Sequence, residues 1–450
     1  MSYKRYKEKM KTKNKRNYSN QTGITLIALV VTIVVLLILA GVSLNAVFGQ
    51  DGIIQKAKDA QNKMDQAVEN DQKGINELSN WLDSKINGNS GGNTTGGNTT
   101  GGDDNPTTTT TKISTLVGKV VDKNTKAEDA YGNKITIPKG FKILEHNPTS
   151  STGAVTYNYT NSEETGEHIP AVQDGIVIEN GTDGNQFVWV PVGTIKNKNG
   201  STNTITLGRY EFDSSTGALT STTPVQVASV ENCTQTVTIG NDFQELSTSR
   251  GGNSEADSTA QNATARNLEE FISTTLANGG YYIARFEASG TTEKITSKYD
   301  QTVLTTITQP NAAKLAREMY GEIKENNELV YASDLVNSYA WDTAIIFIQT
   351  YGIGTDASTY AIKNKSTSFA KTGINTDKYC NIWNMSGNAD EWTTEYSTYS
   401  NNGYFRPCVR RGGYCSAANG NANGCTSSRN NNITSYSSSN LGLRPLLYVK

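Results

Sequence analysis

The sequence predicts an α+β protein built in three parts: a long N-terminal transmembrane helix, a flexible linker, and a head domain rich in irregular loops. Three observations lead there. The uncharged stretch from Asn17 to Gln50 contains the apolar run Ile24–Leu44, about 21 residues and roughly 31 Å as a helix, enough to cross a bilayer. Residues 88–111 read GNSGGNTTGGNTTGGDDNPTTTTT with no apolar side chain, so this segment buries too little surface to fold. Beyond it, short β-like runs alternate with turn signals and a few helical stretches.

At 450 residues the chain is long enough for more than one structural unit. Its 35% hydrophobic and 19% charged content lie below globular averages, and 41 glycines take part of the difference. The net charge of −2 and the two histidines argue against nucleic-acid binding and histidine-rich metal chemistry. That total hides an asymmetry: residues 1–16 carry eight basic groups and one acid, whereas the chain after Gly23 carries 33 basic and 42 acidic groups. Basic residues before the apolar run place the N-terminus in the cytoplasm and the head outside the cell, on a single-pass membrane protein. The five cysteines, Cys233, Cys380, Cys408, Cys415 and Cys425, show no CxxC spacing, which argues against a zinc ribbon. Outside the cell they are free to form disulfides, and their odd number leaves one thiol unpaired or bonded to another chain.

Three readings of the N-terminus compete: a cleaved secretory signal, a plain anchor and a prepilin. A secretory apolar region is usually shorter, ~7–15 residues. The residues Gly23-Ile24-Thr25-Leu26-Ile27-Ala28-Leu29-Val30, after a basic leader, resemble the cleavage and methylation signal of clostridial-type type IV prepilins. The resemblance implies that a prepilin peptidase cuts after Gly23 and that Ile24 becomes the methylated amino terminus. Major pilins have Glu at the fifth mature position; Ala28 stands there, which fits a minor, tip-located or membrane-retained subunit better than a bulk fibre subunit. Ile53, Ala57, Ala60, Met64, Ala67, Ile75, Leu78 and Leu82 continue an apolar stripe at 3–4 residue steps. The stripe packs on other pilin subunits, forms a coiled stalk, or lies on its own head. The divisions are then a leader over 1–23, a transmembrane and pilin-like helix over 24–87, a linker over 88–112 and a head over 113–450.

In the head, Lys134–Pro138, Gly175–Glu179, Gln186–Val192, Thr204–Leu207 and Tyr281–Glu287 read as strands. Arg266–Ala277 reads as a helix with Leu268, Phe271, Ile272 and Leu276 on one face. Asn311–Lys324 and Ser333–Thr350 read likewise, with Ser333 as N-cap. His146 and His168 lie in polar loops and read as solvated surface residues, not as a base.

Six segments in order resemble the formylglycine-generating, sulfatase-modifying type of C-type-lectin fold. They are Phe187–Val192, Gly280–Glu287, Tyr339–Ala344, Met385–Thr393, Arg411–Gly413 and Leu441–Pro445. The sulfatase-modifying enzymes bind copper through two cysteines shortly after the RGG. Here Cys415 and Cys425 follow it ten residues apart in different surroundings, so the catalytic pattern is not matched and no catalytic residue is assigned. The resemblance also implies a calcium ion held by the carbonyls of Gly387 and Ala389 and the carboxylate of Glu391, against the plainer reading that Glu391 caps a tight turn. No other cofactor is implied.

Residues 401–440 hold nine asparagines and seven serines. Asn, Ser, Tyr and Gly are the types that binding loops use for adaptable hydrogen bonds and aromatic contact. The pattern is similar to the variable proteins of diversity-generating retroelements, in which adenine-directed changes at Asn codons yield Asn, Ser, Tyr, Gly, Thr, Asp and Cys. Tyr414, Cys415, Ser416, Asn419, Asn421, Asn423, Asn430, Asn431, Asn432, Ser435 and Tyr436 fit that set. An ordinary Asn/Ser-rich loop in an AT-rich genome fits it too.

The expectation is a type IV pilin-like, membrane-anchored adhesin or receptor with its head outside the cell or on a pilus tip. It recognises an extracellular protein or glycan through residues 401–440. Its other partners would be the prepilin peptidase, further pilin subunits and the membrane. The alternatives are a copper-dependent oxidase and a minor pilin acting in fibre assembly or secretion.

Overall fold

The computed structural model describes residues 110–450 apart from 151–152, 161–167, 214, 248–260, 327, 364–367, 376, 402–403 and 416–423. Twelve strands make its two larger sheets. In chain order they are Phe141–Ile143 (β1), Val177–Asn180 (β2), Gln186–Pro191 (β3), Phe243–Gln244 (β4), Gly280–Ala284 (β5), Glu322–Glu325 (β6), Glu328–Leu335 (β7), Asp390–Ser397 (β8), Cys408–Arg411 (β9), Asn430–Asn432 (β10), Leu441–Leu443 (β11) and Pro445–Val449 (β12). The α-helices are Leu268–Asn278 (α1), Gln309–Glu318 (α2) and Ser338–Tyr351 (α3). Six two-stranded ribbons and three short 3₁₀ turns complete the described secondary structure.

The larger sheet has the order β6-β7-β12-β5-β3-β2-β1, antiparallel throughout. Its centre is apolar on both faces, and strand alternation divides the side chains between two cores. Val188, Val190, Tyr281, Ile283, Leu446 and Tyr448 turn toward α1 and α3. Phe187, Trp189, Tyr282, Ala284, Leu447 and Val449 turn the other way, onto Ile135 and Ile137. The register Tyr281↔Val190 and Tyr282↔Trp189 keeps each set on its own face. Asn267 caps α1 by accepting from Glu270 N–H, and Asn337 caps α3 by accepting from Ala340 N–H.

The smaller sheet carries the C-terminal polar stretch. β8 gives one edge to β9, which continues to β10, and its other edge is shared by β4 and, in parallel, β11. Helix α2 packs Ala312, Ala313, Leu315 and Ala316 against Trp392, Leu441 and Leu443 beside this sheet.

The α+β expectation is corrected. Sheets dominate the described residues, which hold only the three α-helices above, and none of these is long and apolar enough to cross a membrane. The helical surplus was misassigned strand. Asn311–Lys324 is helical only to Glu318, because Gly321 turns the chain at φ +66° into β6. Ser333 belongs to β7 and does not cap a helix. The leader, the long transmembrane and pilin-like helix and almost all of the linker fall outside the described residues, so no long N-terminal helix is shown. No disulfide joins cysteines among the described residues.

Candidate functional site

The RGG segment ends β9 in a turn that only glycine permits. Gly413 has φ +68°, and a Cβ there would lie 2.1 Å from the carbonyl oxygen of Gly424. The turn brings Gly413 against Gly424. Of the eleven residues assigned to ligand contact, Ser416, Asn419, Asn421 and Asn423 lie outside the described residues. Cys415 is buried and its N–H donates to the carbonyl of Asn388; Tyr414 is half-buried. Asn430, Asn431 and Asn432 form β10, the strand at the end of the smaller sheet's order, and all three are half-buried. Pairing Asn430 with Arg410 and Asn432 with Cys408 sets those two on one face and Asn431 on the other. Ser435 is exposed, and Tyr436 lies edge-on to Trp392 with the Arg410 guanidinium 5.9 Å from its ring. The structure thus gathers the three asparagines and places Tyr436 nearby, without making all the described candidates a single surface.

Beneath this edge lies a buried ionic cluster that sequence reading missed. Arg411 donates to Asp342 at 2.6 Å and to Glu395 at 3.3 Å. Arg429 donates to the same two carboxylates at 2.6 and 2.9 Å. Arg209 reaches Glu395 at 3.0 Å, and Glu245 accepts from Thr394 and Ser338 alongside. The two shared carboxylates come from regular elements, Asp342 from α3 and Glu395 from β8. Burial opposes the charge on Glu395, yet Arg429, Arg411 and Arg209 together hold its carboxyl down at about 2. Such a cluster contributes little net stability, but losing one member strands its partners without countercharge. It therefore fixes the geometry of what sits above it.

Above it opens a cleft of about 430 Å³. Ser427, Ser428 and Arg429 from the Asn/Ser-rich stretch form one wall; Glu211, Phe212, Asp213, Asn241 and Asp242 face them. Asp213 is locked by donors from Ser215 and Thr216, an Asx-type turn that holds its exposed carboxyl at about 2. Nothing local in the sequence ties this turn to residues 427–429. That contact is made by Ser427 Oγ donating to the Gly217 carbonyl at 2.8 Å.

The metal assignments meet different geometry. Glu391 is fully buried, and both of its oxygens accept from Arg444, at 2.6 and 2.8 Å. The same guanidinium donates to the carbonyls of Ala284 and Trp383. Ala389 gives its N–H to Glu287, and Gly387 forms a turn at φ +111°. Buried oxygens of Asp377, Asn384 and Ser386 in this loop lack a donor. However, a dication held by Glu391 would sit against the Arg444 guanidinium, and Asp377 already lies in the field of Lys363 and Arg444. The residues present do not fit a calcium ion, which seeks several carboxylate oxygens of its own. Cys415 and Cys425 are both buried, and burial raises the Cys425 thiol, against the thiolate a copper site needs. No group of three or more His, Cys, Asp or Glu suited to a metal occurs among the described residues.

No family model matches the chain. No curated protein matches it either. Among solved structures it is similar to Treponema denticola variable protein 1, at 10% identity and TM-score 0.29, over 60% of this chain and 97% of that one. It is also similar to the Major Tropism Determinant M1 variant, at 14% identity and TM-score 0.23 over 75% and 98% of the two chains. A third likeness is to CarF, at 13% identity and TM-score 0.26 over 48% and 95%. Similarity at this level assigns neither family nor activity.

Proposed function

We propose that residues 113–450 are a ligand-binding head of C-type-lectin type, displayed at the cell surface, which recognises an extracellular protein or glycan through residues 401–440 and the adjoining cleft. The observation that carries this reading is Arg429. It belongs to the Asn/Ser-rich stretch, is held on two sides by Asp342 and Glu395, and lines the cleft beside Ser427 and Ser428. The hydroxyls of Ser427 and Ser428 beside a guanidinium held on a charged base suit recognition, because these groups are placed before a ligand arrives. The basic leader and the apolar run Ile24–Leu44 support attachment to a membrane. The Gly23–Val30 motif supports processing by a prepilin peptidase and contact with other pilin subunits. Many copies on one surface would add weak contacts through effective concentration.

The test is binding of the full-length chain to arrays of glycans and of extracellular proteins. A ligand whose binding falls at least about tenfold, or ~1.4 kcal/mol, in Ser428→Ala and Asn431→Ala at unchanged melting temperature supports the reading. Binding indifferent to both changes, or no binding on either array, overturns it.

A further inference from the structure

We infer that His146 and His168 form a proton-operated latch that fastens the backbone around Tyr157 to the main core. They are the chain's two histidines. Read from sequence as separate loop residues, they instead lie against one another, ring centroids 4.3 Å apart and tilted by 32°. His146 Nδ1 accepts the backbone N–H of Tyr157 at 3.1 Å. A ring nitrogen that accepts a hydrogen bond carries no proton, so the neutral ring holds its proton on Nε2. The only place for a second proton is Nδ1, where it would point at the Tyr157 amide hydrogen. Protonation therefore removes the bond and adds positive charge against the other imidazole.

The groups that shift His146 agree in sign. Facing His146 are the His168 ring, the Tyr157 ring at 6.5 Å and the ammonium of Lys378. On its own segment, Lys142 and Glu145 line a separate surface groove with His146, and Glu145 is its one anion. Partial burial first, then His168 and Lys378, lower its affinity for a proton below the usual histidine value. What the bond holds matters to the fold. Tyr157 is fully buried; its hydroxyl donates to the Leu144 carbonyl at 3.0 Å and accepts from Val177 N–H on β2 at 3.2 Å. Bridges Asn147↔Val155 and Thr160↔His168 flank it. The closed latch is the neutral form. It is complete above the unfolded histidine pKa of about 6.5 and weakens as pH falls below it. Paired rings with one nitrogen already engaged do not converge on a metal, so the pair works as a proton switch.

With only two histidines, spectra of the full chain labelled at histidine alone resolve both titrations. The expected result is that one ring, identified by its loss in His146→Gln, titrates below the ordinary value and moves up in His168→Gln. Hydrogen exchange at Tyr157, corrected for intrinsic rate, should be faster at pH 5.5 than at pH 7.5, by no more than about tenfold, the ceiling for a group of unfolded pKa about 6.5 read one unit below it. That excess should vanish in His146→Gln, whose amide oxygen accepts without titrating. Two independent titrations at ordinary values, or Tyr157 protection that ignores pH, would overturn the latch. If His146→Gln fails to fold, the wild-type and His168→Gln titrations still decide.

Discussion

Three guanidiniums converge on Glu395, those of Arg209, Arg411 and Arg429, and two of them also hold Asp342. Arg411 and Arg209 run back into the core, whereas Arg429 is the member that reaches the cleft. Arg429→Met should lower stability by about 3–5 kcal/mol, because Asp342 and Glu395 stay buried with part of their countercharge gone. Arg429→Lys should recover little, since a single ammonium cannot bridge two carboxylates as a planar fork does. Equilibrium unfolding in urea measures both. The same residues set an acid limb. Glu395 titrates at about 2 in the folded protein against about 4.3 unfolded, so its contribution is complete above the unfolded value. It is lost as pH falls toward the folded one. Asp390 works the opposite way: burial outweighs Arg410 at 2.9 Å and pushes its carboxyl up to about 7. Folded Asp390 thus keeps its proton longer than the unfolded chain does, and stability declines as pH rises from about 4 to 7. Glu395→Gln should flatten the first slope and Asp390→Asn the second, each read from melting temperature against pH.

Helix α3 shows how one element joins core and site. Its apolar side enters the main core through Ala344, Ile345, Phe347 and Ile348, while Asp342, one turn from the start, enters the ionic cluster. The start is set by Asn337, whose side chain accepts from Ala340 N–H at 2.9 Å. Asn337→Ala should cost about 1 kcal/mol and Asn337→Asp far less, measured by chemical denaturation. The sequence placed this cap four residues too early, at Ser333. Tyr331 to Leu335 is fully buried strand, and continuous burial shows no period of two by which to recognise it. Helix α1 was legible within two residues because Leu268, Phe271 and Ile272 repeat at helical steps, although Leu276, assigned to the same face, is exposed. Strand β8 was legible as a motif but not as a strand. The partners of Asp390, Glu391 and Glu395, namely Arg410, Arg444 and Arg429, stand 20, 53 and 34 residues further on, so the sequence alone does not pair them. For the same reason the RGG motif and the polar stretch could be read directly, but the Glu211–Asp213 wall of the cleft could not.

At the scale of the whole molecule, the fold divides the Asn/Ser-rich stretch into positions that can change and positions that cannot. Arg411, Cys425, Thr426 and Thr434 are buried in the domain, and Arg429 is fixed by two carboxylates. Asn430, Asn431, Asn432, Ser435 and Tyr436 lie half-buried or exposed at the end of the smaller sheet. Substitutions at such positions usually shift stability by less than about 0.5 kcal/mol, whereas buried polar losses cost several times more. If residues 401–440 are diversified, variation must therefore follow this division. Sequencing the codons from a population grown from one cell should find changes at adenines, which among the described candidates fall at Tyr414, Asn430, Asn431, Asn432, Ser435 and Tyr436. Arg411 and Arg429 should stay constant, and a near-copy of the stretch should serve as template in the same genome. A uniform stretch without a template would leave a binding head of fixed specificity. Variation spread equally over Arg411 and Arg429 would mean that the ionic cluster is not what holds the site in shape.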